Sequence, residues 1–346
     1  MRTRMTKMLG IKFPIMMAGM SFVAEPNLVA AVCNAGGLGL LATGPYTPHR
    51  TREAIREVRH LTDKPFGCNV TLLLPNSREN VEVCLEEKVP VINWSLGKAD
   101  WIIKAAHEYG GKVFGTVVFS KHALRAEKDG ADGVVITGYE AAAHGGDVTS
   151  MVLIPIIAKQ LKIPVIAAGG FATGRGLAAA LVLGAEGVSI GTRFALTKES
   201  PVNQQMQALC LKASELDTLY SDKFDGVPTR VLKTKTAEIV SQSFGFNPVR
   251  AFRSGAAISR MLEVPFWKLL LSGLKTSKNV SGLARLAGGI ASLRRAIENG
   301  DDEHGFLVIG QAIGMIDKQL AVKEVIDSIV AEAKEVLKEA GRKIVD

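Results

Sequence analysis

A glycine-rich loop around one histidine is the segment of this chain best suited to acid–base chemistry. Residues 138–147 read GYEAAAHGGD, and of the six histidines only His144 has small residues on both sides. Small neighbours leave room for a substrate beside the ring, and an imidazole exchanges protons near neutral pH. The alternative, which these residues leave open, is a histidine that only stabilises its loop by bonding to backbone.

Two short apolar runs that end in glycine form a second candidate site. Residues 164–170 read PVIAAGG, and residues 187–193 read GVSIGTR. Both runs are too short for a helix and are rich in β-branched residues, so they are predicted strands. Glycines at strand ends leave backbone N–H groups open, and two such ends side by side can hold a phosphate. In a barrel of eight parallel strands, the phosphate site follows strands seven and eight.

The elements that would position these residues alternate regularly along the chain. Six further strands are predicted at 14–17, 38–43, 66–71, 90–95, 112–118 and 133–137. Helices are predicted at 27–34, 52–61, 80–87, 101–109, 122–129 and 175–183. A repeat of roughly 20 to 30 residues is typical of βα units on a parallel sheet. The predicted fold is therefore α/β, a TIM (β/α)8 barrel with an additional C-terminal helical segment.

That C-terminal segment, residues 322–344, has apolar residues at a helical period and Lys and Glu elsewhere. It is expected to pack on the barrel, with a homodimer contact as the alternative. The chain has 346 residues and a formal net charge of +8, and its positive charge is uneven: residues 247–295 hold nine Lys or Arg and one acidic residue, Glu263. This stretch could bind an anionic partner or be an ordinary solvated surface, and no nucleic-acid motif accompanies it.

Other sequence features limit the classes of function that the chain could have. No signal peptide and no apolar run long enough to span a membrane is found, so a cytoplasmic enzyme is expected. The four cysteines lack CxxC spacing and are expected to be reduced, buried thiols. No metal-binding motif is present. A barrel isomerase or aldolase that binds a sugar phosphate, and a non-catalytic scaffold, are the alternatives outside redox chemistry.

An ordered set of motifs resembles the nitronate monooxygenase (2-nitropropane dioxygenase) family, which includes the FMN-dependent enoyl-acyl-carrier-protein (enoyl-ACP) reductases and some NADH:quinone reductases. The motifs lie at residues 14–20 (PIMMAGM), 34–39 (NAGGLG), 140–146, 168–170, 190–194, 226–232 (GVPTRVL) and 310–314 (GQAIG). The resemblance covers most of the chain. Each motif alone is weak, whereas the order of the set is specific.

The resemblance implies a barrel that binds FMN non-covalently. It implies phosphate contacts at Gly169, Gly170, Gly191 and Thr192. Further flavin contacts would fall on Met17, Ala18, Gly19, Met20, Asn69, Lys121 and Gln311. The family's catalytic histidine corresponds to His144, which would act as the base in nitronate oxidation. The FMN-binding barrel is expected at 1–240 and 300–346, and a basic helical insertion, or a lid or substrate segment, at 241–299.

The resemblance favours oxidation of a nitronate with O2, with a small molecule as the substrate. The alternative is reduction of an enoyl thioester, or of a quinone, with NAD(P)H as electron donor at the same FMN site. Alanines at 142 and 143, where the family commonly has glycines, and Trp94 after the fourth strand depart from the family pattern. The basic segment favours a thioester carried by acyl carrier protein or coenzyme A, because both carriers are anionic.

Overall fold

Eight parallel strands form the centre of the protein in a computed structural model that describes residues 1–74, 76–242, 259 and 280–343. The strands are β1 (Ile15–Met17), β2 (Leu40–Ala42), β3 (Gly67–Thr71), β4 (Val91–Ser95), β5 (Lys112–Val117), β6 (Gly133–Thr137), β7 (Val165–Ala168) and β8 (Gly187–Ile190). From β2 to β8 each strand pairs with the next one along the chain, and β1 pairs with β8. A parallel bridge between Met16 and Leu38 joins the two remaining edges. The sheet is thus a closed barrel.

Helices follow the strands around the outside of the barrel. They are α1 (Arg4–Leu9), α2 (Pro26–Asn34), α3 (Pro48–Leu61), α4 (Ser77–Glu86), α5 (Asp100–Glu108), α6 (Ser120–Lys128), α7 (Ser150–Gln160), α8 (Gly174–Val182), α9 (Thr192–Ala195), α10 (Gln204–Cys210), α11 (Lys235–Gln242), α12 (Val280–Asn299) and α13 (Val322–Arg342). A 3-10 helix spans Gln311–Met315. The predicted TIM (β/α)8 architecture is confirmed.

The lower half of the barrel, at the amino ends of the strands, is filled by apolar side chains. Met16, Leu40, Phe114 and Ile166 project into this inner cluster, and Met5 of α1 closes it from below. A second, larger core lies between the strands and the surrounding helices. Because the lower half is solid, open space for a ligand lies at the carboxyl ends of the strands.

A short antiparallel hairpin adds to the barrel and was absent from the elements predicted from sequence. It consists of β9 (Thr218–Ser221) and β10 (Thr229–Leu232), with Arg230 opposite Tyr220. An antiparallel bridge from Arg230 to Ala143 ties the hairpin to the histidine loop. The hairpin therefore belongs to the wall of the site rather than to the barrel itself.

The C-terminal helix α13 packs on the barrel as expected. Its buried residues are Val322, Val325, Ile326, Ile329, Val330 and Ala333. The helix crosses the start of α8 so closely that a Cβ on Gly174 would lie 2.5 Å from the backbone nitrogen of Ala333. Glycine is therefore required where the two helices meet, and the homodimer contact stays a prediction.

The basic segment predicted at 247–295 lies mostly outside the described residues, as does most of the segment predicted at 241–299. Its last part is α12, which reaches the site. No helix in the described ranges is both long and apolar enough to cross a bilayer. The four cysteines are buried free thiols, as expected.

Candidate active site

A cavity of about 1070 Å³ opens at the carboxyl ends of the barrel strands. Most of the residues predicted from sequence to bind FMN or to act in catalysis line it: Ala18, Gly19, Met20, Asn69, His144, Gly169, Gly170, Gly191 and Thr192. These residues come from five different strands or from the loops that follow them. The barrel thus brings together residues that are far apart along the chain.

Three predicted FMN-binding residues are not among the lining residues. Met17 is fully buried in the outer core, because successive side chains of β1 alternate and Met16 takes the inward position. Lys121 is exposed near the start of α6, where its side chain extends into solvent rather than into the cavity. Gln311 is half-buried, and its backbone N–H donates to Glu140 O at 3.0 Å. Gln311 thus braces the histidine loop from behind.

The ends of β7 and β8 lie side by side, since Ala168 pairs with Ser189. Gly169 and Gly170 have φ angles of 96° and 82°, a conformation that residues with a Cβ adopt only under strain. Within the described chain, four backbone N–H groups at these ends donate no hydrogen bond: those of Gly169, Gly170, Gly191 and Thr192. We call these four residues the glycine cradle. Grouped free N–H donors of this kind suit an anion such as a phosphate.

Polar side chains line the inside of the barrel next to the cavity. Asn69 Nδ2 donates to Asn93 Oδ1 at 2.7 Å, and Asn93 Nδ2 donates to Thr116 Oγ1 at 3.1 Å and to Phe114 O at 3.0 Å. A Cβ on Gly19 would lie 2.1 Å from the Asn69 Cβ, so glycine allows this close approach. The network occupies the NH2 group of Asn69 and leaves its amide oxygen available as an acceptor.

His144 forms an ion pair or hydrogen bond with an aspartate that sequence reasoning missed. Its Nε2 lies 2.9 Å from Asp225 Oδ2, in the turn between β9 and β10. The other carboxylate oxygen accepts from the Val227 N–H at 3.1 Å and the Thr229 hydroxyl at 2.8 Å. His144 and Asp225 are 81 residues apart along the chain, so no local pattern could have paired them.

The loop that carries His144 is held in an unusual conformation. Ala143 has a φ of 54°, in the left-handed region that normally favours glycine. Its backbone exchanges two hydrogen bonds with Arg230, at 3.0 and 3.3 Å. The alanine at this position therefore keeps a glycine-like shape rather than changing the loop, and pairing with β10 compensates for the strain.

Arg230 and Tyr220 fasten the loop from the hairpin side. Arg230 is 3% exposed, contacts the rings of both Tyr139 and Tyr220, and donates from Nη2 to Tyr139 O at 2.9 Å. Tyr220 donates its hydroxyl to Gly145 O at 2.7 Å. Burial, and then the nearby Asp147, raise the pKa of Tyr220, so the phenol keeps this proton. The backbone on both sides of His144 is fixed in this way.

The outer part of the cavity is apolar with a few charges. Trp94 is 6% exposed and packs over Gly115, leaving no space there for a Cβ. Phe119 is partly exposed at the rim, and Lys98 and Arg125 also line the cavity. The indole is therefore largely buried and forms part of the cavity wall.

Comparison with known proteins identifies the family of this chain. The sequence model of the nitronate monooxygenase family matches residues 2–80 and 76–332. The chain belongs to the nitronate monooxygenase family. Members of this family are flavoproteins, and the chain is accordingly an oxidoreductase.

The relatives of this chain are named for different activities. A "(3aS,4S,5R,7aS)-5-hydroxy-7a-methyl-1-oxo-octahydro-1H-indene-4-carboxyl-CoA dehydrogenase" of Rhodococcus jostii is 35% identical over 96% of each chain. A probable nitronate monooxygenase of Staphylococcus aureus is 32% identical over 71% of this chain and 82% of its own. The solved structure of FabK from Thermotoga maritima has a TM-score of 0.85 at 38% identity, over 99% of this chain and 100% of that one.

Proposed function

We propose that the protein is an FMN-dependent oxidoreductase that reduces an enoyl thioester with NAD(P)H as electron donor. The observation that carries this proposal is the extent of the similarity. FabK, an enoyl-ACP reductase, matches nearly the whole chain, and so does the carboxyl-CoA dehydrogenase, whose name supports a CoA-linked substrate rather than the direction of the reaction. The nitronate monooxygenase of Staphylococcus aureus matches 71% of the chain. The large, mostly apolar cavity supports the same substrate class, because a thioester brings a long acyl chain and carrier arm.

The residues present fit FMN. The glycine cradle offers four free N–H donors to a phosphate, at the place where a barrel of this type binds one. The oxygen of Asn69 offers an acceptor at the inner wall, and the apolar wall suits the faces of a flavin ring. Bound FMN would supply the exchange of a hydride between the nicotinamide donor and the thioester.

His144 is the residue of the cavity wall to which we assign proton transfer. Reduction of an enoyl thioester requires a proton at the carbon next to the thioester carbonyl, and an imidazole is able to deliver it near neutral pH. His122 also lines the cavity but is exposed on α6, and the Tyr220 hydroxyl donates its hydrogen to Gly145 O, so we assign the proton to His144. His144 and the glycine cradle line the same cavity, and the histidine loop contacts the cradle where a Cβ on Gly169 would lie 3.2 Å from the Ala141 Cβ.

Oxidation of a nitronate with O2 is the second candidate. The family match and the imidazole in the cavity wall favour it, because the same ring would take the proton next to the nitro group of a nitroalkane and so form the nitronate. A small nitronate needs neither the volume of this cavity nor its apolar outer part. Reduction of a quinone uses the same donor and differs only in the acceptor.

Anaerobic mixing tests the proposal. The FMN-loaded protein is mixed with NADH, with NADPH and with a nitronate in turn, while the flavin absorbance is followed. We expect one nicotinamide to bleach the flavin and a trans-2-enoyl-CoA to restore the absorbance, with a saturated acyl-CoA as product.

The choice of acceptor decides between the candidates. Separate experiments with enoyl-CoA and with enoyl-ACP distinguish the two carriers. An experiment with a quinone is the control for nonspecific reoxidation of the flavin. Bleaching by the nitronate without any response to nicotinamides would contradict the proposal and favour nitronate oxidation. Reoxidation by the quinone but by neither thioester would also contradict it.

A further inference from the structure

The turn between β9 and β10 carries a carboxylate against the imidazole, and the nature of that contact is informative. An ionised carboxylate can only accept, so the His144 Nε2 must donate its hydrogen to Asp225 Oδ2, 2.9 Å away. The neutral ring then keeps its lone pair on Nδ1, which has no hydrogen-bond partner among the described residues. We propose that Asp225 is a positioning residue that fixes the tautomer and the orientation of His144 for proton transfer.

The geometry of Asp225 supports a fixed role rather than an incidental contact. Val227 N–H and the Thr229 hydroxyl occupy Oδ1, which leaves Oδ2 turned to the imidazole. The side chains of His144 and Asp225 are 31% and 16% exposed, so water only partly screens their interaction. A carboxylate held at one nitrogen of a histidine decides which nitrogen carries the proton.

The surrounding elements hold both partners at this distance. The backbone pairing of Ala143 with Arg230 and the Tyr220 bond to Gly145 fix the histidine loop to the same hairpin that bears Asp225. From the other side, α12 approaches the turn at Gly289, where a Cβ would lie 3.0 Å from the Asp225 Cβ and 2.8 Å from Phe224 O. The hairpin thus holds the histidine loop and the Asp225 carboxylate in one fixed arrangement.

A purely structural role for Asp225 is the competing explanation, because Oδ1 also stabilises the turn. Asp225→Asn separates the two roles. Its amide oxygen can still accept from Val227 and Thr229, whereas its NH2 group can no longer accept from Nε2. The variant should therefore keep the turn and favour the opposite tautomer, with the hydrogen on Nδ1.

We expect Asp225→Asn to bind FMN as wild type and to lower kcat by about 10²- to 10⁴-fold, with a smaller change in KM. Asp222→Asn, in the same turn and largely exposed, is the matched control and should leave kcat unchanged. Because residues that act as a unit are not additive, Asp225→Asn should cost little further once His144→Ala has removed the imidazole. Asp225→Glu should recover part of the rate.

A spectroscopic measurement reports the tautomer directly. With 15N-labelled histidine, the His144 signals, assigned by their loss in His144→Ala, should show a hydrogen on Nε2 in the wild type and on Nδ1 in Asp225→Asn. The role assigned to Asp225 rests on the proposed function only in that His144 handles the proton. The NMR experiment needs no substrate, so an error in the substrate class would not affect it.

Two results would overturn the proposal. Unchanged His144 signals together with a kcat near wild type would show that the carboxylate does not act on the ring. Loss of FMN binding or of folding in both Asp225→Asn and Asp225→Glu would assign Asp225 a structural role only.

Discussion

Ala143, the residue just before the histidine, shows most clearly how single side chains shape this site. A non-glycine residue with a φ of 54° costs about 1–2 kcal/mol. The loop nevertheless keeps this conformation because both polar backbone groups of Ala143 bond to Arg230. The strained conformation orients the next residue, His144, toward the hairpin.

Replacing this alanine by glycine tests the strain. Glycine relieves the left-handed conformation but adds about 0.4–1 kcal/mol of entropy to the unfolded chain. We expect Ala143→Gly to leave the free energy of unfolding unchanged or to raise it by up to about 1 kcal/mol, as measured by urea denaturation. Ala142→Gly, whose φ is not positive, should lower it by about 0.4–1 kcal/mol. Equal losses in both variants would contradict the assignment of strain.

Single residues also show what sequence could and could not predict. The histidine and the glycines stood out because a small-residue setting and a strand end are local signals. Asp225 was missed because its partner is 81 residues away and only the hairpin brings the two together. Lys121 was misplaced because a position shortly after a strand does not decide whether a helix turns the side chain inward or into solvent.

Among the elements, the ends of β7 and β8 form the proposed phosphate site. Gly191 is suited to a test because its φ is not positive and a Cβ there would meet only the Met20 Sδ at 3.5 Å and the Ala18 Cβ at 3.8 Å. The folded chain should therefore tolerate a methyl group, whereas a phosphate against the neighbouring N–H groups should not. Hydrogen bonds to a charged group contribute about 1.5–3 kcal/mol each.

We expect Gly191→Ala to raise the Kd for FMN by about tenfold to a hundredfold without lowering the melting temperature of the flavin-free protein. Titration calorimetry and thermal unfolding give the two values. Gly341→Ala, in a helix with open space around it, is the control: it should leave the Kd unchanged and likewise not lower the melting temperature. An unchanged Kd in Gly191→Ala would show that the phosphate does not lie at this strand end.

Strands were predicted more accurately than helix starts, for a physical reason. A buried strand ends where glycine interrupts an apolar run, and that signal is explicit in the sequence. The helix predicted to begin at 52 begins at Pro48, because Thr47 accepts from the Arg50 N–H and proline fits the first turn. The mostly apolar helix α7, which contains Pro155, was not among the predicted helices because it lacks a polar face to mark its period.

For the molecule as a whole, the closed barrel explains the state of the cysteines. All four are buried, and burial raises the pKa of Cys33 and of Cys210 to about 12. The thiols should therefore stay protonated and inaccessible in the native protein. We expect an aromatic disulfide reagent at pH 8 to label none of the four in native protein and all four in urea; rapid native labelling would contradict the buried positions.

The same pKa shifts predict how stability varies with pH. Since the folded pKa of Cys33 lies above the ordinary value of about 8.5, the unfolded chain ionises first as the pH rises. The contribution of these thiols to stability is complete below about pH 8.5 and declines between there and about pH 12. Urea denaturation at pH 8 and pH 10 should show a loss of stability that is smaller in a Cys33→Ala, Cys210→Ala variant.

The overall architecture was predictable because the barrel repeats one unit, and each repeat leaves the same marks in the sequence. The hairpin and the packing of α12 on it were not, since their contacts are made between distant segments and neither has a local period. The sequence therefore predicted the barrel and the glycine-containing ends of β7 and β8, but only the structure revealed how the histidine is held.

Flavin binding tests the account most directly, because the glycine cradle is assigned to a phosphate and not to the ring. Titration calorimetry on flavin-free protein compares FMN with riboflavin, which has the same ring without the phosphate. We predict that FMN binds with a micromolar or lower Kd and that riboflavin binds at least about a hundredfold more weakly. Equal affinities for the two flavins, or no binding of either, would contradict the account.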